Sequence, residues 1–223
     1  MPPTVVPRIK ICCISSLEEA RLAVSAGASA LGLVSAMPSG PGVIDETLIA
    51  KIAAAAPPGV ATFLLTSLQS AEAIVVQQRW LRANTIQICD YLTEGTYDAV
   101  REALPGIKLV QVIHVGGEAS IDEAIAVAPQ VDAVLLDSGN QQLAVKELGG
   151  TGRRHDWAIS RRIREAIDVP LFLAGGLNAE NVREAVEMVG PFGIDVCSGV
   201  RTDGKLDSAK LSAFVAATRR GRE

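Results

Sequence analysis

Short apolar runs alternate with longer amphipathic ones from one end of the chain to the other. Eight of the apolar runs have strand length: 9–14, 30–34, 60–66, 85–89, 109–115, 133–137, 171–174 and 194–198. Each is followed by a stretch of helical character, at 16–26, 45–56, 71–82, 97–104, 121–128, 158–167, 179–189 and 208–218. Strand–helix units in strict alternation predict a parallel sheet. Right-handed crossovers close eight such units into a ring, so the expected fold class is α/β, a single (β/α)8 barrel. It is expected to form one domain over 1–223, with 1–7 as an extended N-terminal tail.

Local cues agree with that pattern. Ser16 stands ahead of Leu17-Glu18-Glu19, which puts a capping oxygen and acidic side chains at a helix start. Gly27 falls just past the end of the same helix, where a left-handed residue is wanted. Asn178, after Gly175-Gly176-Leu177, is expected to cap the helix that follows strand seven. Pro170 precedes an apolar run, a place where a strand can begin without a ladder donor.

Composition narrows the core. Of 223 residues 48% are hydrophobic but only 4% aromatic, so the interior must be built from Ala, Val, Ile and Leu. That suits a parallel sheet covered on both faces. A net charge of -4 supplies no basic surface, which argues against nucleic acid as a partner. No apolar run approaches the roughly 20 residues of a membrane span, and 1–8 lacks an apolar core of signal-peptide length. Cys12, Cys13, Cys89 and Cys197 form no CxxC pair and read as reduced thiols. A cytoplasmic protein, monomeric or a homodimer, is expected.

In such barrels the site is built at the C-terminal ends of the strands. Here those ends carry Cys12-Cys13, Gln87-Ile88-Cys89, His114, Asp137, Gly175-Gly176 and Asp195-Val196-Cys197-Ser198-Gly199. Gly149-Gly150-Thr151-Gly152 adds a glycine-rich loop after strand six. Backbone N–H groups in such turns can form an anion nest, so the pairs at strands seven and eight suggest a phosphate site. The plainer reading of each pair is a tight turn that needs positive φ. Lys10 and Cys12 share one face of their strand, which would bring a cation near the thiol. A carboxylate at Asp137, ending a buried run, is costly unless it is paired, working or capping a loop. Cys12, Cys89, Cys197 and His114 are zinc-ligand types, yet no close-spaced pair exists and no metal is expected.

The same segments, in order, resemble the phosphoribosylanthranilate isomerase family. Lys10-Ile11-Cys12-Cys13-Ile14 resembles its K-[IV]-C-G-I opening, and Ala26-Gly27-Ala28-Ser29-Ala30-Leu31-Gly32 its A-G-A-D-A-[LI]-G segment. Val134-Leu135-Leu136-Asp137-Ser138 resembles L-L-D-[ST]; Gly149-Gly150-Thr151-Gly152 with Asp156-Trp157 resembles G-G-T-G-x-x-F-D-W. Leu173-Ala174-Gly175-Gly176-Leu177 with Asn181-Val182 is similar to L-A-G-G-L-x-x-x-N-V, and 193–200 to G-[VI]-D-[VL]-S-S-G-V.

The resemblance implies a cofactor-free Amadori rearrangement of a phosphoribosyl amine in tryptophan biosynthesis. It implies Cys12 as base and Asp137 as acid. The substrate and its phosphate would be held by Lys10, Gln87, Gly152, Gly175, Gly176, Asp195, Ser198 and Gly199. Departures are also visible. The family's S-P-R after strand two, whose arginine helps hold the anthranilate carboxylate, is Pro38-Ser39-Gly40-Pro41-Gly42 here. Cys89 replaces the histidine of V-Q-L-H-G, Cys13 a glycine, His155 a phenylalanine and Arg201 a glutamate. Arg201 or Arg153 could supply the missing cation from another loop, while His155 reads as a loop residue. Two further readings stay open on the residues alone: a paralogous barrel for another sugar phosphate, and a non-catalytic phosphate-binding barrel.

Overall fold

The computed structural model describes residues 6–139, 143, 145–149 and 152–219. Eight parallel strands form a closed barrel: β1 (Arg8–Ile11), β2 (Ala30–Val34), β3 (Ala61–Thr66), β4 (Thr85–Ile88), β5 (Lys108–His114), β6 (Ala133–Asp137), β7 (Leu171–Leu173) and β8 (Gly193–Val196). β8 closes on β1 with Lys10 opposite Asp195, while β2 pairs the other edge with Lys10 opposite Ala30. Eight helices alternate with the strands: α1 (Leu17–Ser25), α2 (Glu46–Ala55), α3 (Ala71–Leu81), α4 (Tyr97–Ala103), α5 (Ala119–Val127), α6 (Trp157–Ala166), α7 (Val182–Val189) and α8 (Ser208–Arg219). The expected (β/α)8 alternation is therefore borne out.

The pleat sorts each strand's side chains between two cores. Ile9, Ile11, Leu31, Leu33, Leu64 and Ile86 face outward into the layer shared with the helices. Ala30, Phe63, Leu65, Val110, Val112, Leu135 and Phe172 fill the barrel interior. Burying such a Leu or Ile contributes roughly 1.5–3 kcal/mol, so this two-layer arrangement fixes which residues can point at the mouth. Inside the ring, Phe63 and Phe172 meet edge-to-face with centroids 5.6 Å apart. Lys10 lies over Phe63, 5.2 Å from its centroid, and is 0% exposed.

Most expected termini hold. Ser16 caps α1, accepting from the N–H of Glu19 at 3.1 Å, and Gly27 follows with φ +100°. The expectation at Asn178 needs correction, because α7 begins only at Val182. Asn178 Oδ1 instead accepts from the N–H groups of Glu180 and Asn181, building a turn ahead of the helix. The asparagine uses its side chain to satisfy a local turn, the competing role of such residues. A short antiparallel pair, β9 (Arg201–Thr202) and β10 (Lys205–Leu206), was also missed. Its Asp203-Gly204 turn, with φ of 49° and 76°, is a hairpin signal the sequence carried.

Candidate active site

A cleft opens at the C-terminal ends of the strands, where barrels of this kind place their ligand sites. Its wall includes Cys12, Gln87, Asp137, Gly152, Gly175, Gly176, Asp195 and Ser198. Two expected ligand residues, Lys10 and Gly199, are not on that wall. Gly150 and Thr151 lie outside the described residues.

Cys12 follows β1 directly, and its N–H continues the ladder by donating to Val196 O at 2.9 Å. Below it Lys10 Nζ lies 3.7 Å from Cys12 Sγ and 2.8 Å from Asp195 Oδ2. Lys10 therefore sits beneath the cleft and faces the thiol from inside the barrel. Burial alone would lower the lysine's pKa. The charge of Asp195, the charge on Cys12 and the hydrogen bond to Asp195 outweigh it and hold Lys10 protonated above its ordinary value.

Asp137 ends β6 from across the cleft. Its Oδ1 accepts from the N–H of Ser138 at 2.7 Å. A Cβ on Gly149 would stand 2.5 Å from Asp137 Oδ2, so only glycine lets the loop after β6 close over that carboxylate. Two residues on that wall each bury an oxygen without a partner among the described residues: Gln87 Oε1 and Asp195 Oδ1. A buried acceptor left unpaired costs about 1–3 kcal/mol.

The glycine side of the cleft is backbone against backbone. A Cβ on Gly176 would lie 2.9 Å from Gly152 O, and one on Gly199 would lie 2.0 Å from Leu177 O. The loops after β6, β7 and β8 are thereby pressed into one surface. Gly199 packs closely on Leu177 and is not itself on the wall of the cleft.

The other side is built from side chains. Ser39 donates to Lys146 O at 2.6 Å, and Lys146 Nζ reaches Asp90 Oδ2 at 2.5 Å. Arg201, one candidate for the missing cation, is committed elsewhere. It pairs with Glu19 at 3.0 Å and donates to Cys12 O and Gly204 O at 3.2 and 2.9 Å. Arg153 pairs with Glu147. His155 Nε2 is 2.7 Å from Ser160 Oγ, in keeping with a loop residue, and burial holds its pKa below the ordinary value. No spacing signals the Arg201–Glu19 or Lys146–Asp90 pairs, whose members are far apart along the chain. His114 Nε2 bonds Cys89 O at 2.9 Å. Among the described residues no three His, Cys, Asp or Glu side chains are arranged to hold a metal ion. Nor, among them, is any helix long and apolar enough to cross a membrane.

Comparison with known proteins gives a consistent result. Residues 9–217 match the family model described as N-(5'phosphoribosyl)anthranilate (PRA) isomerase. N-(5'-phosphoribosyl)anthranilate isomerase 2 of Methanosarcina mazei is 36% identical over 210 residues, 93% of this chain and 92% of the relative. The crystal structure of phosphoribosyl anthranilate isomerase from Thermotoga maritima superposes with TM-score 0.80 at 29% identity, covering 96% of this chain and 98% of that one. A phosphoribosyl anthranilate isomerase crystallised with reduced 1-(o-carboxyphenylamino)-1-deoxyribulose 5-phosphate gives TM-score 0.77 at 28% identity over 96% and 98% of the two chains.

Proposed function

The chain belongs to the N-(5'-phosphoribosyl)anthranilate isomerase family, and on that premise we propose that it converts N-(5'-phosphoribosyl)anthranilate to the aminodeoxyribulose phosphate in tryptophan biosynthesis. The observation that carries this reading is one cleft shared by a thiol at the end of β1, a carboxyl at the end of β6 and glycine turns after β6, β7 and β8.

Asp137, as the acid, protonates the ribose ring oxygen, and the ring opens to a Schiff base. Cys12, as thiolate, removes the C2′ proton, and the resulting enolamine relaxes to the ketone. Two groups with opposite proton duties on one substrate are what this rearrangement requires. Lys10 is a positioning residue in this scheme, because its charge acts on Cys12 and Asp195 rather than on the substrate. Gln87 and Asp195 accept from the substrate's hydroxyl or amine groups through their unpaired oxygens. The phosphate rests against Gly152, Gly175-Gly176 and Ser198, where backbone N–H groups can converge on an anion.

Supplying phosphoribosylanthranilate and following the loss of its fluorescence tests the reaction directly, and complementation of an isomerase-deficient bacterium tests it in a cell. Turnover in the first and growth in the second are expected. Failure of both with folded protein would remove the proposal.

A further inference from the structure

Two of the departures from the family's motifs meet in space. Cys13 stands where the resemblance has a glycine after the base, and Cys197 stands at the first serine of S-S-G. The two Sγ atoms are 2.6 Å apart, although 184 positions separate the residues in sequence. Both line the cleft, so a small oxidant entering it reaches them. We propose that Cys13 and Cys197 form a reversible disulfide across the mouth of the active site, a modification site set by these two replacements together.

The surroundings divide the labour between the thiols. Cys197 is half-buried just after β8, with the Arg201 guanidinium nearby. Its contact with Cys13, and then Arg201, holds its pKa below the ordinary value despite burial. Cys13 is buried, and its contacts with Cys12 and Cys197, added to burial, keep its proton on. Cys197 is therefore the attacking thiolate. It attacks the O–O bond of a hydroperoxide; with hydrogen peroxide, hydroxide leaves and takes up a proton to become water, and Cys197 becomes a sulfenic acid. Cys13 sulfur then attacks the sulfenic sulfur, the S–O bond breaks, and the oxygen leaves as water with the thiol's proton. In sum two thiols and one hydrogen peroxide give one disulfide and two waters, with the sulfurs oxidised and the peroxide reduced.

The bond would tie the loop after β1 to the loop after β8. Cys12 precedes one end of the link and Ser198 follows the other. The proposed base and the phosphate cradle would thus move as one unit, away from the geometry in which they serve a single substrate. A misplacement of about 1 Å costs on the order of 10²-fold in rate. Cys89 takes no part: it is buried and burial keeps its thiol protonated.

The test treats the full chain with hydrogen peroxide, blocks remaining thiols, digests with trypsin and maps cross-links. Cys12 and Cys13 both fall in the peptide 11–21, and Cys197 in 184–201. The expected result is one cross-linked species joining these peptides in the natural chain and in Cys12→Ala. It is absent from Cys13→Gly and Cys197→Ser, and dithiothreitol reverses it. A link that survives Cys13→Gly, or four free thiols after treatment, overturns the proposal. This readout needs no turnover, so it stands or falls apart from the isomerase reading. Where turnover is measured, each protein is compared with itself before and after peroxide. The natural chain should lose at least about tenfold and regain it with dithiothreitol, while the reversible loss in Cys197→Ser should be smaller, being confined to direct oxidation of Cys12. A cross-linked chain that keeps full activity overturns the effect on the site.

Discussion

The two halves of the cleft's rim are made of different material. On the side of β6, β7 and β8 the loops meet through glycines, among them Gly176 and Gly199, whose replacement would drive a Cβ into a carbonyl. On the side of β2 the loop 38–43 is held by Ser39 on Lys146 O and by Lys146 on Asp90, side chains that nothing in the local sequence pairs. The first half can vary little, because a nest for an anion is a backbone shape. The second can change its chemistry by a few substitutions without disturbing the barrel. This is consistent with a chain whose glycine motifs resemble the family's while no arginine follows strand two.

The largest effect expected lies between the halves, at the two groups that would move protons. Cys12→Ala and Asp137→Asn should each lower kcat by about 10²–10⁴-fold with little change in KM, since each removes a proton acceptor or donor rather than a binding contact. Steady-state kinetics on phosphoribosylanthranilate decides it. Near-normal turnover in both variants would mean that neither residue has the assigned role.

On the backbone side, Gly176→Asp should raise KM by roughly 10–100-fold, equivalent to about 1.4–2.7 kcal/mol. The new side chain meets Gly152 O and Arg153, its φ of 64° is unfavourable to it, and its charge opposes a phosphate. An unchanged affinity for inorganic phosphate in this variant would move the anion site elsewhere.

On the side-chain half, the natural chain should show a KM for phosphoribosylanthranilate about tenfold above that of an arginine-bearing relative, or ~1.4 kcal/mol. Of the two positions at which an arginine could be restored, Pro41 is the better. Gly40 has φ +102°, and a Cβ there would lie 3.3 Å from Gly149 O. Pro41→Arg should therefore recover part of the difference and Gly40→Arg little. A low-micromolar KM in the natural chain would show that this half binds its ligand without an arginine.

What could be read from the sequence follows the same division. The barrel was legible because its strands and helices are each one contiguous pattern, and the boundaries differ from expectation by only a few residues at most ends. Cys12, Asp137 and Gly176 were legible because the fold places strand ends at the mouth whatever the loops do. The alternation that puts Lys10 beside Cys12 also puts it inside the ring, where it reaches Asp195, a partner 185 positions away that no local pattern could show. Gly199 reads as part of a glycine turn after strand eight, while its closeness to Leu177 O is a tertiary contact that the sequence does not show. Pairs such as Arg201–Glu19 and Cys13–Cys197 join opposite ends of the chain, so no spacing could reveal them.

The smallest effect concerns the pair that closes the rim between the first and last loops. Glu19 accepts from Arg201 Nη1 at 3.0 Å, from the N–H of Leu206 at 2.8 Å and from the N–H of Ser15 at 3.0 Å. Burial alone would raise its pKa, but these donors outweigh it and hold the carboxyl below the ordinary glutamate value. A group whose folded pKa is depressed contributes stability above its unfolded pKa and loses it as pH falls through the folded one. Glu19→Gln keeps the shape and removes the titration. The variant should be less stable than the natural chain by about 1 kcal/mol at neutral pH, the scale of a partly exposed ion pair. The gap should shrink as pH falls from about 4.3, the ordinary glutamate value, through the lower folded value. Urea unfolding of both proteins across that range measures it. A gap independent of pH would show that Arg201 is held by the carbonyls of Cys12, Cys13 and Gly204 and that the Glu19 charge adds nothing.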